Sequence, residues 1–283
     1  MNIHRTSDCY IPIFKKIKMS INLLKLIALL CMVIDHIGEF IPQSPMWLRY
    51  IGRLSAPLFF YSSAWGFYYT RNRKKYLCRL YILGIIMSVG NLVLSFCLGN
   101  RTPISNNIFV TIFLGCIIIF LYETANSRKE RIKYFLWLIF QQLVSFMLCA
   151  VFAEFLNIPR SVDMYMLYYC YGSLFGSMIF TEGSVLFVLF FVIVYFLKGK
   201  KMQLSVFVCS FSMFLTFLVR RTYYMRGPIS YLIPFDIYQW MMVFSVPLFF
   251  FYNGNKGKNM KWFYYLFYPL HIWVLYIIGN TVG

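Results

Sequence analysis

The run LLKLIALLCMVIDHIGEFI, Leu23 to Ile41, decides the fold class. It is apolar or small throughout, apart from Lys25 near its start, Glu39 near its end and one adjacent pair, Asp35-His36. A helix of that length crosses a hydrocarbon core about 30 Å thick. An ionisable group at such depth costs at least a few kcal/mol, so it is rarely there without a role. A second histidine, His271, stands in the last apolar stretch, Trp262 to Ile278. The chain has only 3 histidines, so two of them lie within apolar spans, and that distribution reads as a site.

Composition carries the reading to the whole chain. Hydrophobic residues make up 60% and charged residues 13%, with apolar runs recurring from end to end. The sequence therefore predicts an all-α polytopic integral membrane helix bundle. A net charge of +18 would point a soluble chain to nucleic acid. Here lysine and arginine fall in short clusters between apolar runs, as topology signals do, and nucleic-acid binding is rejected. The 8 cysteines, 9, 31, 78, 97, 116, 149, 170 and 209, are scattered without a CxxC spacing. Buried free thiols are expected, with neither a disulfide framework nor a metal site. Tyrosines near span ends, among them Tyr50, Tyr68, Tyr69, Tyr223, Tyr224 and Tyr231, suit interfacial belts.

Residues 1–20 read as a cytoplasmic lead-in ending in Lys15, Lys16 and Lys18, with Met19 an equally good start. A cleavable signal peptide fits less well, because Asp35-His36 interrupts the apolar run and no A-x-A site follows. Residues 21–283 read as one membrane domain. Spans are expected near 21–40, 50–69, 76–98, 107–122, 134–156, 184–197, 202–219, 236–252 and 262–280. The stretch 163–183 is either a tenth span or a re-entrant piece. With nine crossings and a cytoplasmic N-terminus, 20 of the 27 basic residues fall inside and no lysine falls outside; ten crossings give 17 inside. The positive-inside rule favours nine spans with a re-entrant 163–183, in the cell membrane.

Four groups of residues are candidates for chemistry. His36 can take and return a proton near neutrality. Its neighbour Asp35 points about 100° away on a helix, so the two do not form a simple dyad. Glu39 shares a face with each, and two carboxylates one turn apart repel unless a cation joins them. Arg53, opening the second span in Gly52-Arg53-Leu54-Ser55-Ala56-Pro57, lies at the same depth, and the bland alternative is a structural polar knot. The loop Thr70–Arg79 holds Arg71, Arg73, Lys74, Lys75 and Arg79. Its lysines are explained by topology alone, but Arg79 is set one turn into a span and suits a phosphate. Pro269 removes a backbone donor two residues before His271, freeing carbonyls there. Glu182, in Thr181-Glu182-Gly183-Ser184, marks an expected cap of the helix that follows, through Ser184 or Glu182 itself. No Walker-type phosphate loop, HExxH or GxSxG occurs.

The residues Leu24–Gly38, Leu48–Phe59, Gly66-Phe67 and Thr70–Leu80 resemble the opening of the TraX family, named for the F-type pilin acetylation protein. The resemblance resumes at Asn107-Ile108-Phe109, Glu182-Gly183-Ser184 and Phe267-Tyr268-Pro269-Leu270-His271. It implies acetyl transfer from acetyl-CoA to the N-terminal amine of a pilin. A different exported peptide, or O-acetylation of a surface polymer, remains open as the acceptor. It further implies kinship with multi-span acyltransferases that use a first-span histidine. On that reading His36 takes the acceptor's proton, with Asp35, Arg53 or His271 holding it and Arg71 and Arg79 meeting the donor's phosphates; Glu182 joins the binding set. The rival class is an ion-coupled exporter in which the same acids and histidines relay protons. Against it, the chain lacks two matching halves with interrupted spans.

Overall fold

The computed structural model describes residues 18–98, 104–155, 164–225, 237–257 and 260–282. Cys9, Arg5, Lys15, Lys16, Arg101, Arg160, Arg226, Tyr231 and Lys258 lie outside them. The described residues form helices and no strand, save one isolated bridge between Met19 and Tyr252.

The helix α1, Ile21–Phe40, starts where the Ser20 hydroxyl accepts from the Leu23 N–H at 3.3 Å, a capping contact for a free donor. Pro42 and Pro45 follow its end and prevent continuation. The expected second span is two helices, α2, Trp47–Gly52, and α3, Ser55–Tyr68. Pro57 is the reason: it is tolerated only in the first turn of a helix, so a new helix starts just before it. The break leaves Arg53 at the joint.

Next come α4, Arg73–Leu98, α5, Ile108–Thr124, and α6, Arg128–Phe155. Helix α7, Met164–Phe175, leads into turns and then α8, Ser184–Leu197. Helix α9, Lys201–Met225, is followed by a 3₁₀ segment, Ile237–Ser245, by α10, Val246–Phe251, and by α11, Lys261–Val282. Five of these are long and apolar enough to cross a membrane: Ile21–Phe40, Arg73–Leu98, Arg128–Glu154, Lys201–Arg221 and Lys261–Val282. Three shorter apolar pieces, Ile108–Thr124, Ser184–Leu197 and Ile237–Phe251, lie between them. The eighth expected span is thus not a regular helix but a 3₁₀ stretch joined to a 6-residue helix.

Within the stretch 163–183, the described residues form no full crossing of their own. The 12 residues of α7 rise about 18 Å, short of a full crossing. The 14 residues of α8 rise about 21 Å, also short. Their near ends meet the same region of the bundle: Ser173, late in α7, meets Ser88 of α4 at 2.6 Å, and the Glu182 carbonyl, just before α8, meets the Thr111 hydroxyl of α5 at 2.9 Å. Gly183 and Ser184 adopt left-handed φ of 72° and 47°, a conformation that glycine takes without cost.

One end of the bundle gathers the start of α1, the end of α3, the start of α4 and the ends of α5, α8 and α10. Met19 N–H donates to the Phe251 carbonyl at 2.8 Å, and the Tyr264 hydroxyl donates to the Asn22 carbonyl at 2.9 Å. Arg73 pairs with Glu123, to which the Tyr195 hydroxyl also donates, at 2.8 Å. Between these layers Phe60, Tyr61, Phe190, Phe191 and Tyr268 are fully buried, so the core is aromatic. Free cysteines among the described residues include buried Cys31, Cys116 and Cys149, but Cys78 and Cys97 on α4 are exposed, against expectation.

Candidate functional site

Two apolar helices bring their histidines together. His36 Nδ1 lies 2.9 Å from His271 Nε2, with the rings stacked at a centroid distance of 5.1 Å. His271 Nδ1 lies 2.8 Å from the Phe267 carbonyl, one turn back across Pro269. A carbonyl only accepts, so Nδ1 of His271 carries the proton there. In the neutral ring Nε2 of His271 then accepts, and His36 Nδ1 donates to it. His36 Nε2 is left with its lone pair, 3.4 Å from the Asn106 side-chain amide, which donates. Each step fixes the next, so a backbone carbonyl on α11 sets the tautomer of a ring on α1.

Both His36 and Asn106 line a cavity of about 140 Å³. Asp35, Glu39, Arg49, Arg53 and Glu182 line it too. Asp35 is 8% exposed, yet its carboxylate is compensated: Arg53 donates to both oxygens at 2.6 Å, and Arg49 lies 3.2 Å from one of them. Arg49 also donates to Glu39 at 2.8 Å and to the Asp35 carbonyl at 3.2 Å. The cation joining the two carboxylates is therefore Arg49, while Arg53 pairs with Asp35 and donates through Nε to the Arg49 carbonyl at 3.4 Å. Gly52 makes the room, since a Cβ there would sit 2.2 Å from the Asp35 carboxylate. Asp35, His36 and Glu39 stand close enough to share a metal ion, but guanidinium groups already supply the positive charge beside both acids.

Glu182 does not cap α8, whose Gly183 cap makes no side-chain hydrogen bond. Its carboxylate instead accepts from the Tyr268 hydroxyl at 3.1 Å, and that hydroxyl accepts from the Ile108 N–H at 2.9 Å. Tyr268 thus ties the Glu182 turn and the start of α5 to the helix that carries His271.

Arg71 and Arg79 belong elsewhere. They line a second chamber of about 580 Å³ at the gathered end of the bundle, with Lys25, Lys256 and Lys261. Phe59 lines both cavities, and Ile108 and Phe109 face one each, so the two adjoin. Lys25 and His36 lie on one helix, 11 residues and about 16 Å apart. The structure thus unites Asp35, His36, Arg53, Glu182 and His271, and sets Arg71 and Arg79 in the neighbouring chamber. Sequence reasoning does not reach Arg49 or Asn106. Arg49 had a signal, one helical turn before Arg53; Asn106 lies in a loop and had none.

A family model described as TraX protein matches residues 20–279. A probable fimbrial assembly protein, FimC of serogroup H1 from Dichelobacter nodosus, is 24% identical over 89% of this chain and 92% of its own. An uncharacterized protein, RP591 from Rickettsia prowazekii, is 30% identical over 38% of this chain and 39% of its own. No solved structure matches. The family match spans both histidine helices and nearly everything between, and the chain belongs to the TraX family.

Proposed function

We propose that this protein is an integral membrane acyltransferase that moves an acetyl group from acetyl-CoA to the N-terminal amine of a pilin or another exported peptide. The observation that carries the reading is His36 Nε2, a lone pair held in one tautomer at the wall of a polar cavity inside an apolar bundle. The family's association with pilin acetylation and the similarity to a probable fimbrial assembly protein support the acceptor class.

The step balances simply. His36 Nε2 takes the proton that the attacking amine loses, as the nitrogen bonds to the thioester carbonyl carbon. The carbon–sulfur bond breaks, and the imidazolium returns the proton to the departing thiolate. His271 and the Phe267 carbonyl stabilise that imidazolium through Nδ1. The Asn106 amide and the Arg53 guanidinium line the same cavity and oppose the negative charge that develops on the carbonyl oxygen. Acetyl-CoA, the donor substrate, approaches from the second chamber, where Arg71 and Arg79 lie.

Nine crossings with a cytoplasmic N-terminus fit this arrangement, with α7 and α8 sharing one crossing. The second chamber then opens to the cytoplasm, where acetyl-CoA is made. A reporter fused after Gly199 tests the orientation: cytoplasmic activity is expected, and an external signal overturns it. The function itself is tested by mass spectrometry of surface pilins and secreted peptides with and without the gene. Loss of one acetyl group from an N-terminus supports the reading, and identical masses in every surface molecule contradict it.

A further inference from the structure

The second chamber has a chemistry of its own. Among the described residues five cations, Lys25, Arg71, Arg79, Lys256 and Lys261, line it, and no carboxylate does. They come from α1, the α3–α4 connection, α4, and the segment that runs into α11. Sequence clusters of this kind read as topology signals, but Lys25 lies inside α1 and Arg79 inside α4.

Hydrogen bonding in the wall is unbalanced in the same direction. Arg79 Nε and Asn22 Nδ2 both border the chamber, buried and without a partner among the described residues. Each is a donor. Buried donors are almost always satisfied in folded proteins, so two together in one wall mark the position of an acceptor-rich ligand. The Arg79 guanidinium is steadied between rings, 5.8 Å from the centre of Tyr76 and 5.9 Å from that of Tyr265. Trp65 stacks on Tyr69 at 5.5 Å, giving the chamber an aromatic wall.

We infer that this chamber binds a nucleotide carrying several phosphates, the phosphates on Lys25, Arg79, Lys256 and Lys261 and the base against Trp65 and Tyr69. This rests on the donor side of the proposed function only in naming the ligand as the nucleotide end of acetyl-CoA. Lys25, Lys256 and Lys261 are the residues it adds, and they make the seat three-sided where Arg71 and Arg79 alone would make it one-sided. The neighbouring cavity, reached past Phe59, then receives the acyl end.

The test is calorimetry with 3′-phosphoadenosine 5′-diphosphate, the nucleotide portion without its acyl arm. The purified full chain is used in bilayer discs of neutral lipid. Binding is expected, with Lys25→Gln and Lys261→Gln each weakening it about tenfold through loss of a charge-assisted hydrogen bond. Lys25→Arg, which keeps the charge, is expected to retain binding. Equal affinity in wild type and both glutamine variants overturns the inference. So does nucleotide binding that vanishes only when anionic lipid is added, since the seat would then belong to a lipid headgroup. The two readings fail separately. Intact acetyl transfer with lysine-independent nucleotide binding sinks the chamber assignment alone. Lysine-dependent nucleotide binding with no acetyl transfer to any amine sinks the enzyme reading alone.

Discussion

The two adjoining cavities treat charge in opposite ways. Around His36, the cations have acids: Arg53 on Asp35, and Arg49 between Asp35 and Glu39. The chamber beyond Phe59 is lined, among the described residues, by five cations and no acid. Breaking a buried pair costs several kcal/mol, so the first arrangement is built to persist unchanged. The second leaves its cations to be solvated by water or paired by a ligand that brings negative charge. The difference separates fixed machinery, which must not move while a proton does, from a seat whose electrostatics are completed by what enters it.

The comparison breaks first at His36. His36→Ala removes the only lone pair that the imidazole chain presents to the cavity. Acetyl transfer is expected to fall by about a hundredfold to ten-thousandfold, with the protein inserted at normal levels. Retained transfer would take His36 out of the mechanism, and lost protein would make the histidine pair a structural knot.

Arg53→Leu comes next and reads stability as well as activity. It leaves the buried Asp35 carboxylate with Arg49 alone. Removing one partner of a buried pair costs about 3–5 kcal/mol, and Arg49 keeps the effect near the lower end. A clear drop in thermal midpoint in detergent is expected, partly recovered in the Asp35→Asn, Arg53→Leu double variant. An unchanged midpoint would mean that the pair is already loose.

Arg79→Gln sharpens the contrast from the other side. It removes a cation that has no carboxylate partner among the described residues, so the fold should be little harmed while acetyl-CoA binding weakens about tenfold by calorimetry. Lys74→Gln, in the same basic run but exposed and absent from the chamber wall, is expected to change binding less than about twofold. Equal losses in the two variants would make the run a diffuse attractor with no seat in it.

How much of this was legible in the sequence follows from where each charge sits. Asp35, His36, Arg53 and His271 stand out because an apolar stretch makes any ionisable residue conspicuous. Their pairing does not, since 235 residues separate the two histidines and only folding sets one against the other. Arg49 reads as an outer-loop charge because it precedes the break at Arg53, which is itself a consequence of Pro57. Lys256 and Lys261 disappear into the positive-inside pattern that the same lysines help to define. The helical class was plain from hydropathy. The broken pieces were not, because a 3₁₀ segment such as Ile237–Ser245 carries the same apolar composition as a continuous helix. The cap expected at Ser184 or Glu182 is not made, and the Glu182 carboxylate accepts a hydrogen bond from Tyr268 instead.

The most direct measurement joins the purified protein in bilayer discs to isotopically labelled acetyl-CoA and a synthetic peptide bearing the free N-terminus of a pilin. Intact mass of the peptide is followed over time, with His36→Ala and His271→Ala run alongside. The account predicts one labelled acetyl group on the N-terminal nitrogen with wild type, essentially none with His36→Ala, and a slower rate with His271→Ala, which keeps the base but loses its tautomer control. Acetylation at equal rates by wild type and His36→Ala, or none by wild type with acetyl-CoA demonstrably bound, would contradict it.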